Sequence, residues 1–141
     1  MKSDRFPSDI PNLVNAVHRQ LNGELDRILK TDKLPVEQWR ILRVLADEQG
    51  RTMGALASLV HMNLPALSKT IDRMVTRALV HRKQHQTDHR RVLVYVTDFG
   101  LDLLAGSTPA MEAYQARLTR RLGKRRASEL SRLLRSLVGG V

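Results

Sequence analysis

The chain has 141 residues, contains no cysteine and carries a formal net charge of +10 at pH 7. This length allows one domain with a substantial core, while the lack of thiols excludes disulfides, thiolate metal ligands and cysteine nucleophiles. The charged, proline-containing start and the absence of a long apolar run predict a cytoplasmic protein without a signal peptide or membrane span.

The positive charge is unevenly distributed along the chain. Residues 1–50 contain eight Lys/Arg and eight Asp/Glu, whereas residues 51–99 and residues 100–141 each contain eight against three. Two basic regions suit a polyanionic partner such as nucleic acid, although a high net charge also promotes solubility.

The first predicted elements are two amphipathic helices. Apolar residues at three- and four-residue steps predict a long helix from Ile10 to Ile28. Pro35 disfavours helical backbone at the residue before it, so a second helix begins there. The inward-facing residues of this second helix are predicted to be Trp39, Leu42, Val44 and Leu45. Gly50 is its expected C-cap.

Two short helices follow, separated by a tight turn. Thr52 can cap the first helix and Asn63 the second, with His61-Met62-Asn63 as the break between them. The predicted core residues of the two helices are Met53, Leu56, Ala57 and Val60, then Leu67, Ile71, Met74 and Val75. Two helices joined by so short a turn are typical of a helix-turn-helix.

The remaining elements are a hairpin and two helices. The β-branched and aromatic segment 92–97, together with Leu79-Val80, predicts a two-stranded hairpin whose long tip is HRKQHQTDHRR, residues 81–91. Thr97 can cap a helix that runs to Leu122, with a kink expected at Pro109. Gly123 ends or bends that helix, and the last helix places four leucines on one side: Leu130, Leu133, Leu134 and Leu137.

This order of elements predicts a mainly α fold with a small β wing. A winged helix-turn-helix domain occupies residues 35–97, flanked by an N-terminal helix in residues 1–34 and C-terminal helices in residues 98–141. The outer helices are apolar along one stripe, so we expect them to pack on a second copy of the chain. The basic stretch 117–126 is expected to be the solvated side of such a helix.

The three histidines of the hairpin tip raise the question of a metal site. His81, His85 and His89 are four residues apart, a spacing that on one helix face would suggest zinc. Along a strand the same spacing separates the side chains by about 13 Å, too far for one ion unless the tip folds or a partner contributes. We therefore expect no metal, and the tip is either a solvated basic loop or a surface for a polyanion.

The central segment resembles the MarR family of transcriptional regulators. Residues 34–83, LPVEQWRILRVLADEQGRTMGALASLVHMNLPALSKTIDRMVTRALVHRK, contain its Gln-Trp helix, its Ser-Lys-x-x-Asp-Arg recognition helix and its Leu-Val entry to the wing. The wing motif Asp88-x-Arg90 continues the resemblance, which extends over roughly residues 10 to 138. In one departure Ala78 replaces the family's usual glycine, and in another Asn63-Leu64-Pro65-Ala66 replaces a more polar helix start.

The resemblance implies a homodimeric regulator of double-stranded DNA, in which Arg90 enters the minor groove and Asp88 forms a salt bridge with an arginine. The implied recognition-helix contacts are Asn63, Pro65, Ala66, Ser68, Lys69 and Arg73. The implied wing contacts are Lys83, Asp88, His89, Arg90 and Arg91. No phosphate-binding loop or metalloprotease motif is present, so the sequence predicts neither an enzyme nor a cofactor.

Members of this family often bind a small aromatic or carboxylate effector between the dimerisation helices and the winged helix. The resemblance places four residues of this chain there: Asn15, His18, Met111 and Tyr114. Such an effector would release a repressor from its near-palindromic operator. The alternative is a winged-helix module for protein or RNA contacts without ligand control.

Overall fold

The computed structural model describes residues 9–139. Within them it contains six α-helices, a 3-10 turn and a three-stranded sheet. In chain order the elements are α1 (Ile10–Leu29), the 3-10 turn (Lys30–Asp32), α2 (Val36–Leu45), β1 (Arg51–Thr52), α3 (Met53–Val60), α4 (Leu64–Thr76), β2 (Val80–Gln84), β3 (Val92–Val96), α5 (Asp98–Leu122) and α6 (Lys124–Leu137). The predicted mainly α winged-helix fold is confirmed.

The chain forms two compact units, divided between Ser107 and Thr108. In the first unit, the end of α1, the helices α2 to α4 and the sheet share one core. The residues that are almost completely shielded from solvent include Leu29, Ile41, Leu42, Leu45, Leu56, Leu67, Ile71, Met74, Leu79, Val80 and Val94. Burying each such side chain contributes about 1.5–3 kcal/mol of transfer free energy, so this core supports the whole helix-turn-helix.

The predicted core stripes are confirmed with four exceptions, two of which, Met53 and Val60, are half-buried residues of α3. In α2, Val44 is only half-buried, whereas Ile41, which was not among the predicted core residues, is completely buried. In α4, Val75 is exposed while the three other predicted core residues are fully buried. Val44 and Val75 lie at the edges of their stripes, where a helical period of 3.6 turns the side chain toward solvent.

The sheet has one strand more than predicted. Its order is β1-β3-β2, and both pairings are antiparallel. Arg51 pairs with Val94 and Thr52 with Leu93. A two-residue strand is too short to show the alternation that identifies a strand in a sequence. Thr52 also caps α3, because its side-chain oxygen accepts a hydrogen bond from the Ala55 N–H at 3.1 Å.

The prediction that Gly50 caps α2 is wrong. The helix already ends at Leu45, with Ala46 as its C-cap. Gly50 instead has a φ of 72° immediately before β1, and a Cβ atom there would come within 2.6 Å of the Tyr95 ring. Glycine is therefore required both by the left-handed backbone and by the close approach of the aromatic side chain.

Helix α5 begins at a joint with the wing. The Thr97 hydroxyl accepts a hydrogen bond from the Gly100 N–H at 3.0 Å, which confirms the predicted cap. The Leu79 carbonyl oxygen accepts the Thr97 N–H at 3.0 Å and the Thr97 hydroxyl at 3.1 Å. Helix α5 continues through Pro109 to Leu122, and Gly123, with a φ of 89°, separates it from α6.

Two helices expose apolar stripes in the single chain. Helix α1 exposes Ile10, Leu13, Val14 and Val17, and α6 exposes Leu130, Leu133, Leu134 and Leu137. Each of these side chains is at least 43% exposed, and no described residue of α6 is buried. None of the helices within the described residues has the length and apolar character needed to cross a membrane.

Replacing Gly100 with alanine is expected to lower the free energy of unfolding by about 1–3 kcal/mol, the usual cost of overpacking. The added methyl group would collide with the Leu79 carbonyl oxygen and lie 2.9 Å from a Val96 methyl carbon. Urea denaturation followed by circular dichroism, at one fixed protein concentration, measures this loss.

Gly106→Ala is the matched control because Gly106 lies in the same helix and a Cβ there meets nothing within 4 Å. This control should stabilise the protein by up to about 1 kcal/mol, since glycine is unfavourable inside a helix. Equal effects of the two substitutions would contradict the proposed close packing at Gly100.

Candidate nucleic-acid interface

The turn between α3 and α4 fixes where the recognition helix begins. His61 adopts a left-handed φ of 57°, and the Met62 N–H donates to the Ala57 carbonyl oxygen at 3.0 Å, which closes α3. Asn63 then accepts a hydrogen bond from the Ala66 N–H at 2.9 Å through its side-chain oxygen. The predicted break and cap are confirmed, and the cap uses only the side-chain oxygen of the Asn63 amide.

Helix α4 has a buried face and an open face. Leu67, Thr70, Ile71 and Met74 are buried, and the Thr70 hydroxyl donates to the Ala66 carbonyl oxygen at 3.0 Å. The opposite side exposes Asn63, Pro65, Ser68, Lys69 and Arg73, while Ala66 is half-buried. The structure thus places the predicted recognition residues along the N-cap and the open side of a single helix.

The tip is shorter than the predicted 81–91, because β2 extends to Gln84; the remaining wing tip, residues 85–91, is organised by the His85 ring. Its Nδ1 atom accepts hydrogen bonds from the backbone N–H groups of Thr87 at 3.3 Å and Asp88 at 3.1 Å. The His85 backbone N–H donates to the Arg91 carbonyl oxygen at 2.9 Å, and the Gln84 side-chain amide donates to the His89 carbonyl oxygen at 2.7 Å. These bonds hold the tip in a defined turn.

Within that turn Asp88 holds Arg90. One Asp88 carboxylate oxygen accepts the Arg90 backbone N–H at 3.1 Å and the Arg90 Nε–H at 3.4 Å. The Arg90 side chain is nevertheless 93% exposed, so the end of its guanidinium group points into solvent. Lys83, His89 and Arg91 are also exposed.

The three histidines of the hairpin have separate surroundings. His81 stacks on Tyr95 with ring centroids 5.5 Å apart, and His85 faces the tip backbone. His89 is exposed and contributes its carbonyl oxygen to the Gln84 bond. Among residues 9–139 no group of three His, Cys, Asp or Glu side chains is placed to hold a metal ion.

An ion pair between Asp72 of α4 and Arg82 of β2 connects the recognition helix to the wing. Sequence reasoning did not identify this pair, because ten residues and a turn separate the two positions. The nearest signal was the Asp-Arg dipeptide in α4, which was attributed to the recognition helix alone. The pair spans the turn between the helix and the strand, and both of its side chains are exposed.

A cavity of about 840 Å³ lies beside the recognition helix in the first unit. Its walls come from α1, α2, α3 and the start of α4: His18, Asn22, Glu37, Trp39, Arg40, Arg43, Val44, Leu59, Val60, His61, Met62, Asn63 and Ala66. Arg40 donates to the Asn22 side-chain oxygen at 2.8 Å, Asn22 contacts the His18 ring at 3.2 Å, and the Arg43 guanidinium lies 4.8 Å from the centroid of the Trp39 ring.

The cavity contains only part of the predicted effector set. His18 lines it, whereas Asn15 is exposed on α1 and lies outside the lining. Met111 and Tyr114 are buried residues of the second unit, where the Arg117 guanidinium lies 5.7 Å from the centroid of the Tyr114 ring. The sequence predicts Trp39 only as a core residue; Arg43 lies four residues later on the same helix and so beside it, whereas the bond from Arg40 to Asn22 of α1 has no local signal.

Comparisons with known proteins agree with this geometry. A family model described as the MarR family matches residues 32–91. An uncharacterized HTH-type transcriptional regulator of Mycobacterium bovis is 32% identical over 114 residues, which cover 79% of this chain and 76% of that protein. A mutant of Escherichia coli MarR complexed with operator DNA has a TM-score of 0.85 and 25% identity, covering 96% of this chain and 99% of that one. NadR in complex with 4-hydroxyphenylacetate has a TM-score of 0.76 and 26% identity, with 92% of each chain covered.

Replacing Asn63 with alanine is expected to lower the free energy of unfolding by about 0.5–2 kcal/mol, because the Ala66 N–H loses its cap. Asn63→Ser should retain most of the stability, since serine also accepts a hydrogen bond at this position. Urea denaturation of the two variants makes the comparison. Wild-type stability of the alanine variant would show that the cap contributes nothing.

Proposed function

Because this chain belongs to the MarR family of DNA-binding transcriptional regulators, we propose that it is a homodimeric repressor of a near-palindromic operator. The observation that carries the proposal is the pairing of an open recognition face on α4 with an arginine held at the wing tip by Asp88. The function proposed for each side chain follows from its position on these two elements.

The recognition helix reads the major groove. Base edges are distinguishable there, and a groove about 12 Å wide admits an α-helix. Ser68 can donate to a base edge or a phosphate, and Pro65 or Ala66 can contact a thymine methyl group. Lys69 and Arg73 neutralise phosphates, which fixes the register of the helix on the duplex.

The wing supplies a second contact, in the minor groove. Asp88 restricts Arg90 before DNA arrives, so less side-chain freedom is lost on binding. A narrow minor groove concentrates negative potential and attracts an arginine inserted into it. Lys83, His89 and Arg91 lie on the same hairpin and meet the flanking phosphates in this proposal.

The apolar stripes of α1 and α6 support the homodimer. Stripes this long are rarely left in water, and a second copy of the chain presents the same stripes by symmetry. Twofold symmetry would place two recognition helices about one helical turn apart, which corresponds to half-sites separated by roughly 10 base pairs.

The 840 Å³ cavity is the proposed effector site. Its aromatic wall is Trp39, while Arg40, Arg43 and His18 can pair with a carboxylate, and the related NadR binds an aromatic carboxylate. The cavity also reaches Asn63, the cap of the recognition helix. A compound bound there would act on the start of α4, and by linkage it must itself bind the DNA-bound protein more weakly.

Arg90→Ala is expected to weaken binding to an operator, selected by the protein from a random duplex pool, by about tenfold or more. An arginine contact of this kind is worth about 1–3 kcal/mol. The thermal unfolding midpoint should not change, because the side chain is almost fully exposed. Fluorescence anisotropy with the labelled duplex measures the affinity.

Arg126→Ala is the matched control, since it removes the same charge from the basic stretch 117–126 and should leave the affinity nearly unchanged. For the wild-type protein, a plot of log affinity against log salt concentration should fall steeply, because each neutralised phosphate contributes a slope of about −0.9. A flat plot would refute the operator proposal, and equal losses in both variants would refute the role of the wing.

For the effector, 4-hydroxyphenylacetate and related aromatic carboxylates are expected to raise the melting temperature and weaken operator binding. A ligand at 100 times its Kd stabilises a protein by about 2.7 kcal/mol. Arg40→Gln should reduce both responses without changing DNA affinity in the absence of compound. Arg27→Gln, which removes an exposed arginine of α1 outside the cavity, should respond like the wild type. If no aromatic carboxylate shifts the melting temperature, the effector proposal is wrong.

A further inference from the structure

A second groove in the first unit, of about 580 Å³, lies between the turn that follows α1 and the second half of α4. Its lining residues are Lys33, Pro35, Gln38, Asp72, Arg73, Thr76 and Arg77. Three of them are cationic, and the predicted DNA contacts include only Arg73. The groove therefore adjoins the recognition face. Its other side is the turn after α1, where no DNA contact has been predicted.

The charges of the groove favour an anion. Its one carboxylate, Asp72, is already paired with Arg82 of the wing. Arg77 is half-buried and donates to the Gln38 side-chain oxygen at 2.8 Å, so its guanidinium group is fixed in place. The side chains of Lys33 and Arg73 are exposed and make no hydrogen bond or ion pair with other described residues.

The backbone holds Lys33 in a defined position. Its φ is 51°, its N–H donates to the Lys30 carbonyl oxygen at 3.0 Å, and the next N–H, that of Leu34, donates to the Leu29 carbonyl oxygen at 3.3 Å. Leu34 is only 3% exposed. The turn is therefore fastened to the core directly after Lys33, and only its side chain has to be ordered when an anion binds.

The position of Arg73 favours the DNA backbone as the anion. Arg73 lines the groove and also lies on the open face of α4, about 6 Å along the helix axis from Lys69 at a rise of 1.5 Å per residue. A helix in the major groove has phosphates along both edges. A phosphate that meets Arg73 is then also close to Lys33, because both residues line this groove.

We propose that the turn after α1 is a third DNA contact, in which Lys33 binds a backbone phosphate next to Arg73. This inference rests on the proposed operator binding. The contact carries no base information, so it strengthens binding to all duplexes alike and fixes how the recognition helix is oriented in its groove.

Lys33→Gln tests the contact, with Lys33→Arg as the conservative variant. Lys30→Gln is the matched control, because Lys30 is an exposed lysine of the same turn that does not line the groove. Affinities are measured by anisotropy over a series of salt concentrations, for a selected operator and for a random-sequence duplex of the same length.

Each phosphate contact contributes about −0.9 to the slope of log affinity against log salt concentration. A dimer has two copies of Lys33, so Lys33→Gln should make this slope shallower by about two. The loss of affinity should be the same factor for both duplexes, and Lys33→Arg and Lys30→Gln should resemble the wild type. A slope unchanged in Lys33→Gln, or a loss confined to the operator, would overturn the inference. A flat wild-type slope would instead refute the operator proposal itself, so the two failures are distinguishable.

Discussion

The packing of the recognition helix, the wing and the start of α5 depends on the Leu79 carbonyl oxygen. This oxygen accepts the backbone N–H of Thr97 and shares the Thr97 hydroxyl, at 3.1 Å, with the Ala78 carbonyl oxygen at 2.6 Å; Gly100 lies against it because no side chain fits there. The Leu79 N–H donates to the Met74 carbonyl oxygen at 2.9 Å and so closes α4. The end of the recognition helix, both wing strands and the start of α5 thus meet at one buried residue.

This joint explains why the wing and the recognition helix can act together. Ala78 turns the chain from α4 into β2 with a φ of 61°, a conformation that usually favours glycine, and its N–H bonds to the Val75 carbonyl oxygen at 2.9 Å. The ion pair between Asp72 and Arg82 adds a second connection across the same turn. The two contacts proposed for different grooves of DNA would therefore be carried by connected backbone, which would reduce the entropy lost on binding.

The parts of the fold that could be predicted from the sequence are those determined by local chemistry. The caps at Thr52, Asn63 and Thr97 each depend on one side chain and the backbone three residues later, so the sequence displays them. Strand β1 and the role of Gly50 depend instead on β3, more than forty residues away, and were missed. The recognition residues were implied by the resemblance to the MarR family and share one helix that periodicity predicts, whereas the cavity brings together four elements whose packing no local pattern specifies.

The exposure of α1 has a consequence for how the chain folds. From Ile10 to Gln20 every residue of this helix is exposed, and only its last third, through Leu25 and Leu29, enters the core. Isolated helices shorter than about 12–15 residues are marginal in water. The first half of α1 has only its own cap and the packed last third to stabilise it, so in the proposed dimer helix formation there and association would be coupled and would depend on protein concentration.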